Sequence, residues 1–172
     1  TLGSVGLDKN FILQKEFNTA ALPTYKNPIK VAISVLPFTK QTYRLFLKAN
    51  QSQAAKISFN YVDSIAVKPQ FVQLQIADKV ILMEALNESG NQNTKDYLEH
   101  NSSTNIVTSI SIAFNKKELE LLQQADAVFL VENGLKMYAL QLYKNGDKTD
   151  MIRFNEGVVF TFKTASCCWQ EN

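Results

Sequence analysis

Apolar and polar residues alternate along several stretches of this chain, with turn-forming residues between them. In residues 29–36, Ile29, Val31, Ile33 and Val35 share one face, with Lys30 and Ser34 on the other, and Pro28 and Pro37 bracket the run. A period of two between chain breakers predicts a strand. Residues 42–48 repeat the pattern with Tyr43, Leu45 and Leu47, and residues 55–62 with Ile57, Phe59 and Tyr61. Both are expected to be strands.

Beyond Pro69, the apolar series Val72, Leu74, Ile76, Val80 and Leu82 is interrupted by Asp78. The preferred reading of residues 71–87 is one strand bent near Asp78, or two strands buried on both faces. The rival reading makes Asp78 the N-cap of a helix ending at Asn87. Two short helices are expected further on. Asn93 caps residues 94–101. Asn115 caps residues 116–125, with Glu118 at N3 and Leu119 and Leu122 towards the core. Between them, Ile106, Ile110, Ile112 and Phe114 mark a strand over residues 105–114.

Residues 127–165 carry the strongest pattern. Asn133-Gly134 and Asn145-Gly146 fit two-residue hairpin turns, whose central residues need positive φ. Asn155-Glu156-Gly157 fits a three-residue loop with Gly157 in the left-handed conformation. A four-stranded meander follows, with Phe129 opposite Tyr138 and Val131 opposite Lys136. The expected fold is mainly β: an antiparallel β-sandwich, alternatively a barrel, of about eight to ten strands. It carries two short helices and the C-terminal four-stranded meander. Residues 1–28 read as an irregular, polar lead or tether, and residues 29–172 as a single β-rich domain.

Composition narrows the function classes. The chain has 172 residues, 45% hydrophobic and 20% charged, and a net charge of +2 with no block of one sign. A clustered basic face, which a phosphate backbone requires, is missing from the sequence, so no nucleic-acid partner is expected. No window holds the ~18 consecutive apolar residues of a transmembrane helix. The chain begins at Thr1 rather than Met. With its polar lead, this suggests a protein exported to the periplasm or anchored outside the cytoplasmic membrane, as lipoprotein ectodomains are. Three glycosylation sequons, at Asn50, Asn87 and Asn101, fit chance in an Asn-rich chain.

Candidate chemistry is sparse. The one histidine, His100, falls at a helix C-terminus, where the dipole favours it. With it, Cys167 and Cys168 lack zinc-ligand spacing, so no metal and no cofactor are expected. The six glycines form no phosphate loop. Residues 87–93 and 144–150 resemble calcium loops weakly and read better as solvated turns. Among acids near strands, Glu84, Glu132, Glu156 and Asp126 suggest no glycosidase pair. No catalytic residue is expected.

Adjacent cysteines in a strand point to opposite faces, which puts Cys168 with Val158, Phe160 and Phe162 in the core and Cys167 in solvent. Two free thiols at a strand end are preferred to a vicinal disulfide or an intermolecular bridge. Trp169 is the candidate binding residue, for a glycan or a partner protein. The leading expectation is a non-enzymatic binding or assembly module of the bacterial cell envelope. The alternatives are a carbohydrate- or calcium-dependent sandwich module and a cytoplasmic barrel holding a small apolar ligand.

Overall fold

The computed structural model describes residues 1–11, 14–134 and 137–168. Trp169 and Lys136 lie outside the described residues. Nine strands form one open antiparallel sheet, so the mainly β reading holds. They are β1 (Val5–Phe11), β2 (Gln14–Ala21), β3 (Ile29–Pro37), β4 (Gln70–Ile76), β5 (Thr104–Ala113), β6 (Ala127–Glu132), β7 (Tyr138–Lys144), β8 (Asp147–Arg153) and β9 (Val158–Ser166). Four α-helices accompany them: α1 (Lys40–Ser52), α2 (Lys79–Asn87), α3 (Gln92–His100) and α4 (Lys116–Gln124). The sheet order is β2-β1-β5-β4-β3-β6-β7-β8, with β9 paired to β5.

Two hydrophobic clusters lie on opposite faces of this sheet. Val31, Leu74, Ile110, Val128 and Leu140 line the main core, closed by Leu82 and Leu86 of α2, Leu98 of α3 and Leu122 of α4. Phe71 and Ala113, adjacent in sequence to Val72 and Ile112 of that core, face the other way, as strand alternation requires. There they meet Phe38, Phe46 and Ile57 in a second cluster beneath α1.

Several expectations need correction. Residues 42–48 are helix, not strand. Thr39 caps α1 by accepting from the Thr42 N–H, and the Thr42 hydroxyl receives the Thr39 N–H in return. Tyr43, Phe46 and Ala49, at helical spacing, face the second cluster, whereas Leu45 and Leu47 are 42% and 43% exposed. Residues 55–62 form no strand. The Asn50 carboxamide instead binds both the N–H and the C=O of Ile57, each at 3.1 Å. The rival reading of residues 78–87 is correct: Asp78 Oδ1 accepts from the N–H groups of Val80 and Ile81, starting α2. The described residues therefore form four α-helices, not two.

Helix α3 starts earlier than expected, after Asn91. The Asn91 side chain is buried and committed elsewhere, to Thr24 N–H and C=O and to Ala85 C=O. At the start of α4, Asn115 makes no side-chain capping bond. Residues 1–28 are not an irregular lead. They contain β1 and β2, and β1 pairs with β5 from Val5↔Ile106 to Leu7↔Thr104. Their period-two signal is weak because burial runs unbroken from Leu2 to Gly6 instead of alternating.

The C-terminal meander has three strands rather than four, because β9 leaves β8 and pairs with β5. β6 ends at Glu132 and β7 starts at Tyr138, with Asn133 N–H bonded to Met137 C=O. Phe129 accordingly faces Gln141, and Val131 faces Ala139. Asn145 (φ 53°) and Gly146 (φ 82°) do form the expected positive-φ turn. Gly157, at φ −125°, is not left-handed. A Cβ there would stand 2.7 Å from the Phe114 ring and 2.8 Å from Ala113 C=O, so close packing requires the glycine. No helix among the described residues is long and apolar enough to cross a membrane.

Candidate binding cleft

Where α1 lies against β9, the fold leaves an open cleft of about 860 Å³. An aromatic cluster sets the position of α1. The Phe38 ring lies 5.5 Å from Phe46, 4.9 Å from Phe71 and 5.6 Å from Phe160, so helix, sheet and β9 share one anchor. Phe160 shares the face of Val158 in that cluster, and β9 bulges at it: Val159 pairs with Ile112 and Thr161 with Ser111, leaving Phe160 as the extra residue.

One wall of the cleft is a single face of α1, formed by Leu45, Lys48, Ala49 and Ser52 at helical spacing. The opposite wall is Phe17 and Thr19, two residues apart on β2. Phe17 meets Phe162 edge to face, with ring centroids 5.7 Å apart. Val107 and Ile110 of β5 and residues 159–162 of β9 make the floor, and Phe154 and Asn155 close one end. Gln53, just past α1, holds the backbone of Val159 on its outer edge. Its Nε2 donates to Val159 C=O, and its Oε1 accepts the Val159 N–H at 2.9 Å.

The lining is mostly hydrocarbon. Lys48 is its charged side chain; no carboxylate, histidine or cysteine lines it among the described residues. The hydroxyls of Thr19, Ser52 and Thr161 have no base beside them there. Such a surface can bury an apolar ligand and favour a neutral or negative polar end.

The residues singled out from sequence lie elsewhere. His100 ends α3, with Nδ1 2.7 Å from Asp96 C=O. Glu132 accepts the Tyr25 N–H, Glu156 the Arg153 N–H and Asp126 the Asn145 N–H, so these three carboxylates secure backbone, while Glu84 is exposed on α2. Among the described residues no three His, Cys, Asp or Glu side chains converge on a metal-sized site.

Cys167 and Cys168 are free thiols, but their exposure is the reverse of that expected. Cys167 is half-buried against the main core and Cys168 is exposed. Thr108 has no partner in β9, since pairing steps from Val107↔Thr164 to Ser109↔Lys163. Beyond that step Ala165 faces the core with Ile106, and Cys167, two residues on, follows it. Burial raises the Cys167 thiol pKa, with Cys168 adding to the effect, which disfavours the reactive thiolate.

The cleft itself was hidden from the sequence because α1 reads as a strand. The legible signals were Thr39 three residues before Thr42 and the Tyr43–Phe46–Ala49 spacing. No family model, curated protein or solved structure matches the chain.

Proposed function

We propose that this chain is a non-enzymatic binding module and that the α1–β9 cleft is its binding site. The ligand is apolar, with a neutral or anionic polar end. The observation that carries this reading is the lining: more apolar than polar, with hydrocarbon from α1, β2, β5 and β9, hydroxyls and carboxamides among it, and Lys48 its charged side chain. Leu45, 42% exposed on the wall, is apolar surface that a ligand would cover. The volume falls within the roughly 300–1,000 Å³ common for ligand sites.

A glycan-cleaving groove would need two facing carboxylates, and this lining supplies none. A barrel holding an apolar ligand would enclose it, whereas this cleft opens to solvent. The envelope setting rests on reading residues 1–28 as a tether. Since they contain β1 and β2, the proposal is made without it.

Titration with anilinonaphthalene sulfonate, an apolar fluorophore bearing an anionic group, tests the reading. Saturable binding at one site is expected, weakened at least tenfold in Leu45→Glu with circular dichroism and melting temperature unchanged. Absence of saturable binding to the folded protein, or binding indifferent to Leu45→Glu, overturns it.

A further inference from the structure

We infer that the cleft takes its ligand as an extended polypeptide segment, which adds as a strand to the outer edge of β9. This rests on the cleft being a binding site and names what occupies it. The cleft reaches the free edge of a strand, because Gln53, which lines it, sits on the outer edge of β9. β9 pairs with β5 along one edge and, among the described residues, with no strand along the other.

At Val159 that outer edge is already engaged in the chemistry of a neighbouring strand. A residue in an antiparallel ladder exchanges one N–H and one C=O bond with its partner. The Gln53 carboxamide makes this same pair of bonds to Val159. Further along, Val107 spends its N–H on Ser4 C=O and its C=O on Gly3 N–H, both on the β1 side. It therefore has none left for Thr164, its neighbour across the β5–β9 pair. The backbone of Thr164 points to the outer edge, and so, by alternation, does that of Phe162. An incoming strand that displaces Gln53 finds Val159, Phe162 and Thr164 presenting donors and acceptors.

The β8 edge suits this poorly. β8 carries Asp147, Lys148, Asp150 and Arg153, the charges that guard an edge against pairing. β9 carries one, Lys163. Lys48 on the wall and exposed Lys163 favour acidic side chains on that segment. At the far end, the Asp8 carboxylate accepts the Thr164 hydroxyl at 2.7 Å, which favours a neutral residue there. The partner is thus a segment alternating apolar with acidic or hydroxyl side chains.

The probe is a pool of end-blocked octapeptides alternating valine, leucine or phenylalanine with glutamate or threonine, read by amide hydrogen exchange on the intact chain. Binding is expected to slow exchange at Phe162 and Thr164 at least tenfold. Gln53→Ala should tighten binding several-fold by freeing Val159, and peptides N-methylated at alternate amides should not bind. Should Gln53→Ala fail to fold, the exchange pattern of the unaltered chain and the N-methylated peptides still decide. Equal binding of N-methylated peptides, or binding without protection of Phe162 and Thr164, overturns strand addition. If the fluorophore binds and the peptides do not, this inference fails while the binding-module reading stands. If neither binds, both fail.

Discussion

Three side-chain carboxamides, those of Asn50, Gln53 and Asn91, each hold the N–H and C=O of one backbone residue. Asn91 is the most buried, 2% exposed, and ties Thr24 to the end of α2. Asn91→Ala strands these groups away from water. It should cost about 3 kcal/mol, measured by urea unfolding. Nearby, the Tyr25 phenol donates to Gly3 C=O and the Tyr138 phenol to Pro23 C=O, with the rings 5.3 Å apart. Burial raises both phenol pKa values well above the ordinary one, helped by Cys167 at Tyr25 and by Tyr25 and Glu132 at Tyr138. Their folded pKa values lie above the unfolded ones. Their contribution to stability is therefore complete below pH ~10 and is lost as the pH rises further, when unfolded phenols ionise. Unfolding at alkaline pH should coincide with a rise in phenolate absorbance, and Tyr138→Phe should flatten the dependence.

At the scale of elements, α1 decides most. Its capping pair, Thr39 and Thr42, and its buried Phe46 place Gln53 against β9 and open the cleft. Phe46→Ala should cost about 3–5 kcal/mol in chemical denaturation, since Phe38, Phe59 and Phe160 surround the ring. It should weaken fluorophore binding by more than tenfold in molecules that remain folded. In residues 42–48 a helix and a strand pattern coincide, because Tyr43, Leu45 and Leu47 also alternate. Side chains from outside the segment break the tie: the cluster of Phe38, Phe71 and Phe160 receives Phe46 and leaves Leu45 and Leu47 exposed. The same competition arises at residues 78–87, where Asp78 turns an apolar run into α2. Local signals sufficed where nothing distant competed, as in β3 between its prolines and the Asn145-Gly146 turn.

Across the whole molecule, distant pairings join the two ends of the chain to its middle. β5 pairs with β1, β4 and β9, bringing Val5, Val72 and Phe162 alongside one strand. Leu2 and Val5 are fully buried. Deleting residues 1–21 removes both, together with one partner of β5, and should abolish the cooperative thermal transition followed by circular dichroism.

By itself the sequence determined the antiparallel, mainly β character, the strands at residues 29–36 and 105–114, the helix at 116–125 to within a residue and the polar turn of β7–β8. Each follows from periodicity and breakers within a short window. Tertiary structure decided that α1 is a helix, that β1 and β2 belong to the sheet and that β9 leaves the meander for β5. It also decided that Cys167 rather than Cys168 turns inward. These outcomes depend on partners many residues away and on bulges at Thr108 and Phe160 that shift the alternation. The cleft belongs to this second group. Its walls come from β2, α1 and β9, and no stretch of the chain contains enough of it to be read alone.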